Sequence, residues 1–300
     1  MKKGRCTQVK KYIYSTVARM IRNNIRIFFS APIEYGYTNF SIKLPANHML
    51  PAYQQAHKKY DRFLPHLAKY MNHLDTIIDV GANVGDTLAG MVEQNPEANY
   101  ICIEPDDLFY QYLEENIERI KIYKMDLKIR TIKALIGKNV SSVTLEGNKG
   151  TKHATGIGTG NIASVTLDEI ISQTSYDNIR LLKTDVDGFD YDVLDSSISA
   201  IEKHKPMIFF ECQFDYEYQK NGYAKTFSSL SSAGYCDWTI FDNFGEVILR
   251  TDDIAIIMQL LDYVWKQNSG LASRAIYYYD VLAVQQNDSK LIDSVLKEYT

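Results

Sequence analysis

Cysteine is scarce in this 300-residue chain, and its few copies lie far apart. The four cysteines are Cys6, Cys102, Cys212 and Cys236. No two of them form a Cys-x-x-Cys pair, which argues against a zinc site and against a disulfide framework. Cys102 and Cys212 lie in apolar stretches, where a free thiol behaves as a small hydrophobic side chain. We therefore expect a reducing, cytoplasmic setting.

Long hydrophobic runs are also missing. No apolar stretch approaches the roughly 20 residues that a helix needs to cross a bilayer. The basic start of the chain has no continuous apolar core and no cleavage site, so it is not expected to be a signal peptide. Hydrophobic residues still make up 45% of the sequence, which is enough for a packed core.

Acidic residues are absent from the first 33 positions, which hold eight lysines and arginines. Because the whole chain carries a net charge of −4, the remainder carries −12, which argues against broad nucleic-acid binding. Within residues 8–29, apolar side chains recur at helical spacing between the basic ones. This segment is expected either to lie on an anionic membrane surface or to pack on the domain or on a second copy of the chain, as in a homodimer.

Strand-like and helix-like segments alternate between residues 75 and 286. The apolar runs predict strands at 76–80, 99–104, 129–136, 179–185, 206–212, 238–242 and 275–284. Helices are predicted from about 87, at 106–120, at 188–203, from about 222 and at 253–267. Such alternation indicates an α/β fold with a doubly wound, mostly parallel sheet of seven strands.

Two segments flank this predicted core. Residues 1–74 form an N-terminal appendage, with a strand or hairpin expected at 31–50 and a helix at 51–73. Residues 287–300 form a C-terminal helix. Inside the core, residues 147–160 contain five glycines, so we expect a loop that either closes over the active site or has no role there.

The first core strand runs directly into a turn that contains two glycines, in the sequence Ile77-Ile78-Asp79-Val80-Gly81-Ala82-Asn83-Val84-Gly85. Glycines at such a turn let the backbone approach a cofactor closely. The next strand ends in Glu104, an acid placed to accept hydrogen bonds from two ribose hydroxyls. Together, the turn with its two glycines and the acid Glu104 predict a cofactor of the nucleoside type.

The residues of the turn indicate which nucleoside cofactor to expect. The dinucleotide fingerprint Gly-x-Gly-x-x-Gly is not met, because Asn83 replaces its middle glycine and no third glycine follows at the right spacing. Asp79 and Asp86 would repel a pyrophosphate but attract an ammonium and a sulfonium. S-adenosylmethionine carries both cations and no phosphate, so the turn favours a methyl donor over NAD.

Five motifs in order resemble those of the FkbM-type methyltransferases, a family of S-adenosylmethionine-dependent O-methyltransferases. They are residues 78–85, Glu104-Pro105, Val165-Thr166-Leu167-Asp168, residues 182–188 (Leu-Lys-Thr-Asp-Val-Asp-Gly) and Ile208-Phe209-Phe210-Glu211. The resemblance implies a Rossmann-like class I methyltransferase fold. Two departures are visible, since the family usually has Glu at the position of Asp187 and often has His near Gln213.

Acids fall at the predicted ends of neighbouring strands, where ligands bind in sheets of this kind. The expected cofactor-binding residues are Asp79, Gly81, Asn83, Gly85, Glu104, Pro105 and Asp185. Methyl transfer to a hydroxyl needs a base that removes its proton, and Asp187 or Glu211 is the expected base. Lys183 is expected to keep one of these acids ionised, Asp185 to orient the cofactor or the acceptor, and His153 is a rival base.

Three functions remain open at this point. The resemblance implies an O-methyltransferase that acts on a hydroxyl of a sugar, polysaccharide or secondary metabolite. The alternatives are an NAD-dependent sugar dehydrogenase or epimerase, and a non-catalytic module that binds nucleosides. A Mg²⁺ site formed by Asp185 and Asp187 is also conceivable, but without a third ligand a metal-free scheme is favoured.

Overall fold

The protein is described here by a computed structural model, which covers residues 31–137, 144–146, 153–155, 164–174, 178–214 and 216–300. The basic segment 8–29 and most of the glycine-rich segment 147–160 lie outside the described residues. No helix within the described ranges is both long and apolar enough to cross a bilayer.

The strands and helices follow one another in a mostly alternating order. The strands are β1 (Ile33–Gly36), β2 (Ser41–Leu44), β3 (Thr76–Val80), β4 (Asn99–Ile103), β5 (Lys128–Ile132), β6 (Leu135–Ile136), β7 (Thr144–Glu146), β8 (His153–Thr155), β9 (Ser164–Val165), β10 (Ile179–Thr184), β11 (Met207–Gln213), β12 (Tyr235–Asp242), β13 (Val247–Thr251) and β14 (Tyr278–Gln285). The helices are α1 (Leu50–Ala56), α2 (Phe63–Ala68), α3 (Asp86–Gln94), α4 (Asp107–Tyr123), α5 (Leu167–Ser172), α6 (Asp190–Asp195), α7 (Ile198–His204), α8 (Glu217–Ser232), α9 (Ile254–Asn268) and α10 (Ser289–Tyr299).

Eight of the described strands form the central sheet, in the order β5-β4-β3-β10-β11-β14-β12-β13. The first five of these are parallel to one another, while β14 runs antiparallel to both β11 and β12. The predicted doubly wound, mostly parallel α/β sheet is confirmed. It has eight strands rather than seven, because β13 folds back on β12 as an antiparallel edge strand.

Both faces of the sheet are covered, because successive residues of a strand point to opposite sides. Ile77 of β3 packs with α2, α3, α4, α10 and the β1–β2 hairpin, on the side that we call the appendage face. Ile78, the next residue, packs with α5 to α9 on the opposite face. The predicted hairpin at 31–50 is confirmed, and the C-terminal helix packs into the core through Ile292 and Val295.

Two segments predicted as single helices are each broken in two. The segment 51–73 divides into α1 and α2, and between them Asp61 takes a left-handed backbone conformation with φ of 54°, which cannot continue a helix. The segment 188–203 divides into α6 and α7. The hydroxyls of Ser196 and Ser197 both donate to the carbonyl oxygen of Val193, and such bonds compete with helical ones.

Three other boundaries also differ from the prediction. The strand expected at 129–136 ends at Ile132, and β6 pairs with β9 in a separate two-stranded sheet. The glycine-rich segment contains β8, which pairs with β7, so its described part is a strand. The helix predicted from 222 begins at Glu217, because the side chain of Gln219 accepts the backbone N–H of Tyr216 and caps it.

One buried side chain joins the appendage to the core. Asn116 of α4 accepts the N–H of Lys43 at 2.7 Å and donates to the carbonyl oxygens of Lys43 at 2.9 Å and Val84 at 2.8 Å. It therefore fixes β2, α4 and the turn after β3 to one another. Replacing it leaves three backbone groups without a partner in the interior.

We expect Asn116→Ala to lower the free energy of unfolding by about 2–4 kcal/mol, since each lost buried hydrogen bond costs about 1 kcal/mol or more. The matched control is Glu118→Ala on the exposed side of the same helix, where a change within about 0.5 kcal/mol is expected. Urea unfolding followed by circular dichroism measures both. Equal stability of the two variants would contradict this account of how the appendage is held.

Candidate functional site

A cleft of about 1140 Å³ opens on the appendage face at the carboxyl ends of β3, β10 and β11. This is the edge of the sheet at which α/β proteins bind ligands, beside the point where the strand order reverses. Residues between 46 and 64 form one wall of the cleft, and residues from 274 to 280 form part of another. The appendage is therefore part of the site.

The turn after β3 is held in a left-handed conformation at three positions, with φ of 77° at Gly81, 48° at Asn83 and 81° at Gly85. A Cβ atom on Gly81 would lie 2.0 Å from the backbone oxygen of Asp185. A Cβ on Gly85 would lie 2.8 Å from a methyl carbon of Leu113. The two glycines thus let the turn pack against neighbouring parts of the chain, and asparagine tolerates the left-handed position between them.

The N–H groups of this turn point into the protein. Gly81 and Ala82 both donate to the carbonyl oxygen of Ile103, at 2.9 and 3.0 Å. The next N–H, of Asn83, donates to Glu104 Oε2 at 2.8 Å. A turn that binds a pyrophosphate needs free N–H groups to cradle it. Here three consecutive donors are already bonded.

Glu104 accepts a second backbone bond, from the N–H of Asp106 to its Oε1 at 2.8 Å. Burial raises the pKa of its carboxyl group to about 7, although the N–H donors of Asp106 and Asn83 act in the opposite direction. Neither Glu104 nor Pro105 lines the cleft. Glu104 is, however, hydrogen-bonded directly to Asn83, which is a lining residue. Each carboxylate oxygen keeps a further lone pair for a hydroxyl donor.

A buried lysine links the two turns that meet in the cleft. Lys183 is only 4% exposed, and its Nζ donates to the carbonyl oxygen of Gly81 at 2.9 Å. The same atom lies 2.8 Å from Asp79 Oδ1 and 3.6 Å from Asp185 Oδ2. Burial alone would lower the pKa of Lys183, but these carboxylates raise it above its usual value. Burial raises the pKa of Asp79, which Lys183 counteracts.

The turn after β10 presents two carboxylates of different character. Asp185 lines the cleft with half of its side chain exposed. Asp187 also lines the cleft, in a left-handed conformation with φ of 53°, and burial together with the charge of Asp185 raises its pKa well above the usual range. Asp190 supports the turn from below by accepting the hydroxyl of Thr184 at 2.6 Å.

The other acids near strand ends do not all belong to the cleft, because they lie on different faces of the sheet. Glu211 of β11 lies opposite Asp280 of β14 in the register, and both line the cleft. Asp242, which also ends a strand, does not line the cleft. Its Oδ1 accepts the N–H groups of Phe244 and Glu246 at 2.9 Å and holds the β12–β13 turn.

The structure brings most of the expected site residues into one place. Those that line the cleft are Gly81, Asn83, Lys183, Asp185, Asp187 and Glu211. Asp79 lies buried behind them, and His153 belongs to β8, whose side chains are outside the described part. Sequence reasoning missed Asp61 and Asp280. An acid inside an apolar strand, as at Asp79, was the available signal for Asp280.

Within the described ranges, no three or more histidine, cysteine, aspartate or glutamate side chains are arranged so that they could hold a metal ion. The pairing of Asp185 with Asp187 as a Mg²⁺ site therefore has no third ligand in that part of the chain.

Solved structures similar to the chain include an FkbM methyltransferase from Methylobacillus flagellatus, with 17% identity over 63% of this chain and a TM-score of 0.40. The match spans 54%, about half, of that protein's length. A human methyltransferase 10 domain containing protein is 12% identical, over 82% of this chain and 88% of its own, with a TM-score of 0.43. A putative transferase from Pyrococcus horikoshii is 12% identical, over 86% and 73%, with a TM-score of 0.44.

A search of the curated proteins gave no match. The comparison with protein-family models, by contrast, gives a match that shows the family. Residues 79–248 match the family model of the methyltransferase FkbM domain, and this range includes the turn after β3, Glu104, the turn after β10 and Glu211. The matched range is more than half of the chain, so the resemblance indicated by the five motifs is confirmed and the chain belongs to the FkbM methyltransferase family.

Proposed function

We propose that the chain transfers a methyl group from S-adenosylmethionine to a hydroxyl group of a small-molecule or glycan acceptor. The observation that carries this proposal is the turn after β3, whose N–H groups at Gly81, Ala82 and Asn83 are all bonded within the protein. These three donors are not free to cradle a pyrophosphate, and the turn stands beside carboxylates that suit a cationic ligand.

The residues around the cleft fit the methyl donor in their chemistry. Glu104 has lone pairs left for two ribose hydroxyls, and the half-exposed carboxylate of Asp185 suits an ammonium group. Asn83 and Gly81 line the cleft. When bound, S-adenosylmethionine supplies a methyl group already activated by its sulfonium.

The chain has three tasks in such a reaction, namely to align the acceptor hydroxyl, to take its proton and to exclude water. Asp187 is the proposed base, because it lines the cleft and because burial raises its pKa, which makes its carboxylate a stronger proton acceptor. Glu211 is the rival base in the same cleft. The appendage wall between residues 46 and 64 would shield the reacting oxygen from solvent.

Sugars, polysaccharides and secondary metabolites are the proposed acceptors. The resemblance to the FkbM-type family implies this class, and a cleft of about 1140 Å³ has room for a second ligand beside the donor. Residues 8–29, which lie outside the described ranges, remain a proposed membrane-surface or dimer contact.

Ligand binding tests the choice of cofactor directly. We expect S-adenosylhomocysteine to raise the melting temperature and NAD to leave it unchanged, because a ligand at about 100 times its dissociation constant stabilises by about 2.7 kcal/mol. Differential scanning fluorimetry with both ligands is the measurement. Stabilisation by NAD alone would favour the dehydrogenase or epimerase, and binding of S-adenosylhomocysteine without transfer to any acceptor would favour a non-catalytic module.

Asp187→Asn tests the proposed base. Asparagine keeps the size of the side chain and tolerates the left-handed backbone, so only the proton acceptor is lost. We expect kcat to fall by about 10²- to 10⁴-fold, while S-adenosylhomocysteine binds within about twofold of wild type. Calorimetry and a labelled methyl-transfer assay measure the two quantities. Asp195→Asn, on α6, is the control, and full turnover by Asp187→Asn would move the base to Glu211 or His153.

The pKa of about 7 at Glu104 predicts a pH dependence of cofactor binding. Between pH 6 and 8 the ionised fraction rises from about a tenth to about nine tenths, so the affinity for S-adenosylhomocysteine should rise by up to about tenfold. Glu104→Gln should lack this component, whereas Glu97→Gln, at an exposed ion pair, should keep it. Identical pH profiles for all three proteins, measured by calorimetry, would rule out a ribose-binding role of Glu104.

A further inference from the structure

Two carboxylates face each other across neighbouring strands in the half of the cleft away from Glu104. Glu211 of β11 and Asp280 of β14 are direct partners in the antiparallel register, so their side chains lie on the same face. Like charges directly opposite each other on a sheet are destabilising. Such a pair persists only where a proton or a cation lies between the two groups.

One oxygen of this pair also lacks a hydrogen-bond partner in the described part of the chain. Glu211 is 5% exposed and lines the cleft, yet its Oε1 has no hydrogen-bond partner among the described residues. Leaving a buried acceptor unpaired is destabilising, and more so when the group is charged. A buried, unpaired oxygen at the wall of a cleft points to a ligand that donates a hydrogen bond there.

Acids outnumber bases along the cleft. The acidic lining residues are Asp61, Asp86, Asp185, Asp187, Glu211 and Asp280, and the basic ones are Lys59, Lys183 and Arg274, with the histidines His48 and His57. Lys183 is held in its ion pair with Asp79. Lys59 lies 2.8 Å from Glu246, and Arg274 packs over the ring of a tyrosine.

The methyl donor does not balance this charge. S-adenosylmethionine carries a sulfonium, an ammonium and a carboxylate, and so brings one net positive charge. Burial, and after it the charge of Asp185, raises the pKa of Glu211 and of Asp280 well above the usual range. A metal ion is a poor candidate for a cation between these two carboxylates, since no metal-binding group of side chains occurs in the described ranges.

Two aromatic side chains line the same cleft as the pair. Tyr60, from the appendage, and Tyr278, from β14, both line the cleft, and burial raises the pKa of each phenol further above its usual value. They therefore remain neutral at any physiological pH. Neutral phenol rings beside carboxylates suit an organic cation, which gains from both the charge and the ring faces.

We propose that Glu211 and Asp280 form a binding subsite for the protonated amine of the acceptor, which is accordingly an amino alcohol such as an amino sugar rather than a neutral polyol. Because it names the acceptor of the same site, this inference rests on the proposed function. It assigns the amine to Glu211 and Asp280 and leaves Asp187 to take the proton of the hydroxyl.

The test compares glucosamine, glucose and N-acetylglucosamine by calorimetry on protein saturated with S-adenosylhomocysteine at pH 7. Because a charge-assisted hydrogen bond is stronger than a neutral one, glucosamine should bind about tenfold or more tightly than the other two. In Glu211→Gln and in Asp280→Asn, this preference should fall below about threefold. Glu118→Gln, at an exposed glutamate of α4 that does not line the cleft, should keep it.

The melting temperature of the two variants gives a second readout. Each substitution removes one of two repelling charges at nearly constant volume, so both variants should melt at or above the temperature of the wild type.

Equal binding of glucosamine and glucose, or binding of neither, would overturn the amine subsite. A preference for glucosamine that survives both substitutions, or Mg²⁺ binding that they abolish, would overturn it as well. Failure of S-adenosylhomocysteine to bind in the first step would instead refute the proposed function.

Discussion

The buried ammonium of Lys183 is the interaction on which the cleft depends. It joins the end of β3, through Asp79 and the carbonyl of Gly81, to the turn that carries Asp185. A buried lysine is costly to desolvate, and only several acceptors in good geometry offset that cost. By meeting those acceptors on two turns, Lys183 holds both at a fixed distance, and the absence of a side chain at Gly81 lets their backbones touch.

Concentrated negative charge is the other constraint on this site. Asp187, Glu211 and Asp280 are crowded on one face of the sheet, and burial raises the pKa of each. This arrangement is unfavourable for folding on its own, as is common where a site must be ready for a ligand. A cationic donor and a cationic acceptor would each relieve part of the repulsion, so ligand binding and stability should be coupled through the same carboxylates.

The pattern of apolar residues was sufficient to predict the core strands, but it did not show where the predicted helices are interrupted. The strands around Ile77, Ile101 and Ile208 could be predicted because continuous apolar runs are typical of buried parallel strands. The break between α1 and α2 could not, since a left-handed conformation at Asp61 leaves no periodic signal. The edge strand β13 was missed because its exposure alternates only weakly and its pairing with β12 depends on a turn.

The sequence by itself determined the family, the order of the main core strands and several of the acids at strand ends, because each of these is a local pattern along the chain. Only the tertiary structure decided which acids share a site. Asp242 and Asp280 both sit near the ends of antiparallel strands, yet the pairing places Asp280 beside Glu211 in the cleft and leaves Asp242 to hold a turn. The physical reason is that a strand alternates its side chains between two faces, and the register with its neighbours selects the face.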